Sequence, residues 1–455
     1  MMSNRTRQVF RGLLTLLVLL SGGMSTAMGW TDGQTLIAGR QSLRQLQAFA
    51  LAHNPEVSAG FFDQQAAQAR TGSAVGARLP RLTIEGGYNR YDPDLRLTAA
   101  TYNGELGVFG NNIFNADLVL RLPLFAGGRL VAEVRAAELL EASAGQRLAR
   151  SRSDLLFNVA SLYYGLLAQQ RLIASLEHAE QALSGHLGQV QALIAGRKAA
   201  AVDGLRSEVK LADIRQRRLR EQNIMAIQRQ SLFNLLGAES ATDDFSLADE
   251  LAVPSIERGR VETQLEAALS QRPDVIAARH ELDAQAARLD AARAGHWPTV
   301  NLVGAVGQRS MNDPAQQPRG LSNNDQVSRL GVTFEMPLFE GGRTKARVDE
   351  EHAKLNALRQ RLDKLLFQAR LDMVSASANR ASAQERLNST QKAVDLAKKV
   401  SEIEREKYAL GRGTQLDVLD AQSALIDAEA THIRALADAN TAKAQLLWAT
   451  GENLQ

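Results

Sequence analysis

The chain of 455 residues contains no cysteine, which excludes disulfides, zinc-thiolate sites, thiol nucleophiles and the acylated cysteine of a lipoprotein. Its formal charge of +3 comes from 53 basic and 50 acidic residues; three of the arginines precede residue 30, so the remainder balances at 50 against 50. A neutral body gives no electrostatic footprint for nucleic acid, and Arg215-Gln216-Arg217-Arg218-Leu219-Arg220 reads as a solvated helix face.

Residues 1–29 have the three parts of an export signal peptide: Arg5, Arg7 and Arg11, an apolar run from Leu13 to Leu20, then small residues ending Ala27-Met28-Gly29 before Trp30. The mature protein is expected to begin near Trp30 and to leave the cytoplasm. Beyond the leader no apolar run approaches the roughly 20 residues of a transmembrane helix, leaving a soluble periplasmic protein or one that crosses a membrane as strands.

A first repeat is expected over 30–237. Its opening helix, Ser42 to Gly76, is interrupted near Pro55. Strands at 81–91 and 115–125 follow from period-two alternation, with Leu82, Ile84, Gly86 and Tyr88 on one face of the first and Ala116, Leu118, Leu120 and Leu122 on one face of the second. Asp92 to Phe114, rich in glycine, asparagine and aspartate, reads as an exposed loop. From Arg129 to Gly196 proline is absent and good helix formers dominate, predicting one helix of about 65 residues and roughly 100 Å. A returning helix to Leu236 completes a hairpin over 129–236, and Gly196 is expected to end the rod.

Residues 238–260, of mixed polarity with Pro254, read as a connector around the rods. The landmarks then return over 261–451. Pro55 and Pro80 match Pro273 and Pro298, each 218 positions on; Gly128 and Gly237 match Gly342 and Gly451, each 214 on. Strands are expected at 298–308 and 327–339, joined by the loop Arg309 to Gln326, then a hairpin over 343–450 with Gly411 ending its rod and 452–455 as the terminal end. Rods of this length and charge must stand in water and pack like coiled coils.

Arg81, Thr83, Glu85, Asp117, Arg121, Asn301, Arg329 and Thr333 occupy the opposite strand faces, a pattern of lipid outside and water inside. Half-buried strands of a soluble sheet give the same alternation. Four strands cannot close on themselves, and no open edge survives in lipid, so the membrane reading requires a barrel shared between protomers.

The repeated Leu122-Pro123-Leu124-Phe125-Ala126-Gly127-Gly128-Arg129 and Met336-Pro337-Leu338-Phe339-Glu340-Gly341-Gly342-Arg343, together with Tyr408-Ala409-Leu410-Gly411-Arg412-Gly413-Thr414-Gln415-Leu416-Asp417-Val418-Leu419-Asp420-Ala421-Gln422, resemble the TolC family of outer-membrane efflux and secretion channels. The resemblance covers nearly all of the mature chain. It implies a mainly α-helical homotrimer with a twelve-stranded membrane β-barrel portion in outer-membrane lipid, continued by a periplasmic α-helical coiled-coil tunnel. A periplasmic adaptor and an inner-membrane ABC, RND or similar transporter would complete an efflux pump or type I secretion route.

By resemblance, Asp417 and Asp420 are the constriction, Tyr408, Asp203 and Arg412 belong to the network closing it, and the tips at Gly196 and Gly411 dock the adaptor. The family's arginine would fall at Gly413, with Arg412 one place earlier. Thr414 to Asp417 also has capping-box spacing, so Asp417 is equally read as a helix cap. Lys198 and Arg412 read as docking aids or as solvated side chains.

No phosphate loop, dinucleotide fingerprint, nucleophile elbow or His-Glu-x-x-His pair occurs, and the seven histidines lack metal spacing. His178 and His186, eight apart, read as solvated. Neither an enzyme nor a cofactor is expected, and a soluble periplasmic coiled-coil adaptor or scaffold is the alternative to a channel.

Overall fold

The computed structural model describes residues 36–90, 101–102, 105–106, 112–241, 245–254, 265–311 and 324–452. The leader lies outside these residues, as do most of both loops.

Helix, two strands and a long helical hairpin occur twice. The first repeat contains α1 (Leu43–His53), α2 (Pro55–Gly76), β1 (Arg81–Arg90), β2 (Asn112–Phe125), α3 (Arg129–Ala195) and α4 (Ala201–Leu236). The second contains α5 (Leu265–Gln271), α6 (Pro273–Arg293), β3 (Thr299–Met311), β4 (Asn324–Glu335), α7 (Arg343–Ala409) and α8 (Gln415–Thr450). Pro55 and Pro273 open α2 and α6 at the first helical position, where a missing amide hydrogen costs nothing, so the prolines break each leading helix without spoiling the next.

The paired glycines explain the repeated motif. Gly127 and Gly128 have φ of 62° and 86°, and Gly341 and Gly342 have 62° and 84°, a left-handed pair that turns the chain from strand into rod. A Cβ on Gly127 would lie 2.6 Å from Trp297 Cβ, so side-chain bulk is excluded there as well.

The four strands form one antiparallel meander in the order β4-β3-β2-β1, with β1 and β4 as unpaired edges. Register places Thr83, Glu85, Asp117, Arg121, Arg309, Arg329 and Thr333 on one face. Leu82, Ile84, Leu118, Leu120, Leu302, Val306, Leu330 and Phe334 occupy the other, where Leu330 is 77% exposed. On the polar face Arg121 pairs with Glu85, and Arg309 with Asp117, each at 2.7 Å.

Strand ends differ from the sequence reading. β2 starts at Asn112, β3 runs to Met311 and β4 starts at Asn324, because the ladder continues through Arg90↔Asn112 and Ser310↔Asn324 where apolar alternation has stopped. β4 ends at Glu335 rather than near 339, just before Pro337, which cannot donate to a ladder.

The rods, 67 residues each, return as helices of 36 residues. α3 lies at the centre, against α2, α4, α6 and α8. The main core gathers around Tyr163, Leu166, Leu167, Leu232, Leu236 and Leu436. Here the connector is clamped to the rods: Tyr163 Oη donates to Asp249 at 2.8 Å, Arg171 to Leu251 O at 2.8 Å, and Asn440 to Ala252 O at 2.9 Å. No described helix is long and apolar enough to cross a membrane.

Candidate functional site

The two hairpin tips are built differently. Gly411 ends α7 in the left-handed region at φ 70°, its amide donating to Tyr408 O and that of Arg412 to Lys407 O. At the first tip Gly196 has φ −78°, and Arg197 takes the left-handed place at φ 56°. The expectation that Gly196 is the helix-ending glycine is therefore corrected by one residue. Positions 197 and 411 are 214 apart, so the repeat itself marks Arg197 as the counterpart of Gly411.

Across the turns, α8 begins with a complete capping box. Thr414 Oγ1 accepts from the Asp417 amide at 3.2 Å, while Asp417 Oδ2 accepts from the Thr414 amide at 3.0 Å and from its hydroxyl at 2.7 Å. These bonds hold the Asp417 carboxyl below the usual carboxylate range. α4 instead has Ala200 at its N-cap, which offers no capping side chain. Asp203, in the same repeat slot as Asp417, is thus free for other contacts, and lies 4.0 Å from Arg206.

Asp417 and Asp420 are both exposed, one turn apart on α8. Their counterparts are Asp203 and Arg206, which offset one another, so only the second hairpin presents two acids at its tip. Tyr408 is half-buried, and burial followed by the charge of Asp203 pushes its hydroxyl up; no hydrogen bond joins the two side chains. Arg412 is exposed, and its guanidinium makes no ion pair among the described residues. At Gly413 a Cβ would stand 3.2 Å from Lys407 Cβ.

The tip holds residues that sequence reasoning missed. His186, read as solvated, is buried at 5% exposure; its Nε2 lies 2.9 Å from Gln415 Oε1 and its ring lies edge-on to Tyr408 at 5.6 Å. Buried Gln415 donates to Ser207 Oγ at 2.7 Å, and Ser207 donates to Asp203 O at 2.9 Å. No cluster of His, Asp and Glu among the described residues could hold a metal ion.

The sequence model of the outer membrane efflux protein family matches residues 47–238 and 265–452, both repeats. The chain belongs to that family. Protein CyaE of Bordetella pertussis is 28% identical over 89% of this chain and 82% of its own length. The probable efflux pump outer membrane protein SepC of Pseudomonas putida is 27% identical over 85% of this chain and 78% of its own. Among solved structures, CusC superposes with a TM-score of 0.77 at 19% identity, covering 93% of this chain and 96% of that one. The protein is therefore an outer-membrane channel protein of the efflux and secretion class, in a family of channels rather than enzymes. The reading as a soluble adaptor or scaffold falls with that membership.

Proposed function

We propose that the protein is the homotrimeric exit duct of a tripartite efflux pump or type I secretion system, taking cargo from an inner-membrane ABC, RND or similar transporter through an adaptor docked at the tips around Gly196 and Gly411. The observation that carries this reading is the meander with one exposed apolar face, one charged face and two unpaired edges. Three copies joining edge to edge supply twelve strands and leave no backbone group unpaired in lipid. The rods then continue the pore on the periplasmic side. Asp417 and Asp420 line its narrow end, with Tyr408, Asp203 and Arg412 beside them. Because the first hairpin carries Asp203 with Arg206 where the second carries two acids, the ring is drawn from the second hairpins alone.

Fractionation tests this directly. Mature protein starting near Trp30 is expected in the outer membrane as a detergent-resistant trimer, and crosslinkers placed at residues 196 and 411 are expected to capture the adaptor. A soluble monomer overturns the duct; a trimer that captures nothing at the tips overturns the docking.

A further inference from the structure

His186 on α3, Ser207 on α4, Tyr408 on α7 and Gln415 on α8 form one cluster that touches all four long helices near the tips. Its proton arrangement follows from hydrogen-bond counting. Ser207 has one hydroxyl hydrogen and gives it to Asp203 O, so it can only accept from Gln415, which places the amide nitrogen of Gln415 toward Ser207. The amide oxygen then faces His186 Nε2, and that nitrogen must carry the hydrogen. His186 Nδ1 has no partner among the described residues.

We propose that His186 is a proton-operated lock: in its neutral Nε2–H form it fastens the start of α8 to the first hairpin through Gln415, and on protonation it lets go. The lock rests on reading the tip as the closed end of the duct, and supplies that end with a regulator. A second N–H would appear at Nδ1, inside a buried site with no acceptor. Around the ring, burial and the Arg405 charge oppose protonation, and the Gln415 hydrogen bond favours it. Arg405 and Tyr408 approach from α7, Asp203 of α4 stands beside Tyr408, and Gln415 of α8 is uncharged. Burial pushes the imidazole down, the Gln415 bond works against that, and the Arg405 charge pushes it down further.

The sign follows. The closed tip binds the proton more weakly than an open tip with an ordinary imidazole, so closure is unaffected well above pH 6.5 and weakens as pH falls below it. The open-to-closed ratio rises up to about tenfold per pH unit per protomer until the folded-state value is passed.

The experiment combines hydrogen exchange over residues 196–213 and 408–420, corrected for intrinsic rates, with bilayer conductance from pH 7.5 to 5, on the full-length trimer. Wild type is expected to lose tip protection and gain conductance below pH 6.5. His186→Gln, which keeps a donor but cannot titrate, is expected to stay protected throughout. Ser207→Ala is expected to loosen the tip at pH 7.5 while keeping the pH response. Exchange that is independent of pH in wild type, or a response that survives in His186→Gln as a stable trimer, overturns the lock. Intact pH-dependent exchange in a protein that conducts no ions sinks the duct and leaves the lock standing.

Discussion

Asn54 and Arg272 hold the same backbone position in the two repeats with different chemistry: Asn54 Nδ2 donates to Leu235 O at 2.8 Å, and Arg272 Nη1 to Ala449 O at 3.3 Å. The donors are 218 residues apart and the acceptors 214, so duplication preserved the contact while the side chain changed. Asn54 also accepts from the amides of Glu56 and Val57, capping α2. Arg272, 1% exposed, instead joins Asp274 at 2.7 Å and Asp372 at 3.2 Å beneath Trp448.

These two positions should therefore differ in sensitivity. Asn54→Ala is expected to cost about 1 to 2 kcal/mol through lost capping and one orphaned carbonyl. Arg272→Met, which takes the buried cation away from two half-buried carboxylates, should cost more, about 3 kcal/mol. Burial pushes the Asp274 carboxyl up, but the hydrogen bond and charge of Arg272 outweigh it and hold it below 3.8. Its contribution is present above pH 3.8 and is lost as pH falls further. Thermal unfolding measures both variants, and an equal loss in each would refute the ranking.

Arg197 is a non-glycine residue in a left-handed place that its repeat partner fills with Gly411. Arg197→Gly should strengthen protection at the end of α3 by roughly 1 kcal/mol, and Gly411→Ala should weaken the end of α7 by a similar amount. Amide exchange at the two helix ends reads both.

In the proposed constriction Asp417 would have two duties, capping α8 and lining the opening, and Asp420 one. Asp420→Ala is expected to weaken block by a trivalent cation added from the tip side while leaving the start of α8 intact. Asp417→Asn should do the same, because its amide oxygen can still accept from Thr414. Thr414→Ala should keep the block and loosen α8 by about 1 kcal/mol. Single-channel recording of the double variant decides: block as strong as in wild type would leave Asp417 only its capping role.

Leu118→Arg or Leu120→Arg should cost about 2 to 4 kcal/mol if that face meets lipid, whereas arginine at Thr83 on the opposite face should be tolerated. The yield of folded protein in the outer membrane compares them, and equal yields would contradict the assignment of faces.

A cavity of about 80 Å³ between α3, α4, α7 and α8 is lined by Lys210, Ser401, Arg405 and Gln422, and both amide atoms of Gln422 are buried without a protein partner. Gln422→Met should be neutral or stabilising by about 1 to 3 kcal/mol, since it removes the unpaired groups at similar volume. A clear loss of thermal stability would mean that the amide is satisfied in the assembled protein.

The element order was legible because prolines, paired glycines and strand alternation each report local backbone needs, and all recur. The far ends of β2 and β4 were not, because Asn112 and Asn324 join the ladder through backbone bonds that leave no apolar signature. At the tips, the different fates of Asp203 and Asp417 could have been read from Ala200 and Thr414 three residues earlier. Arg197 could have been found from the 214 offset. His186 could not, because its burial depends on Gln415 and Ser207 arriving from two other helices.

The free edges of β1 and β4 bear on what happens before assembly. A newly exported chain can close each helical hairpin promptly, since each returning helix packs on the rod just before it in sequence. Its sheet cannot be finished alone, and until partners arrive it offers two strand edges and an apolar surface, the combination that templates aggregation. For the proposed trimer, insertion should thus be a race between assembly and misassociation, won by local concentration at the membrane or by a chaperone that shields the strands in transit.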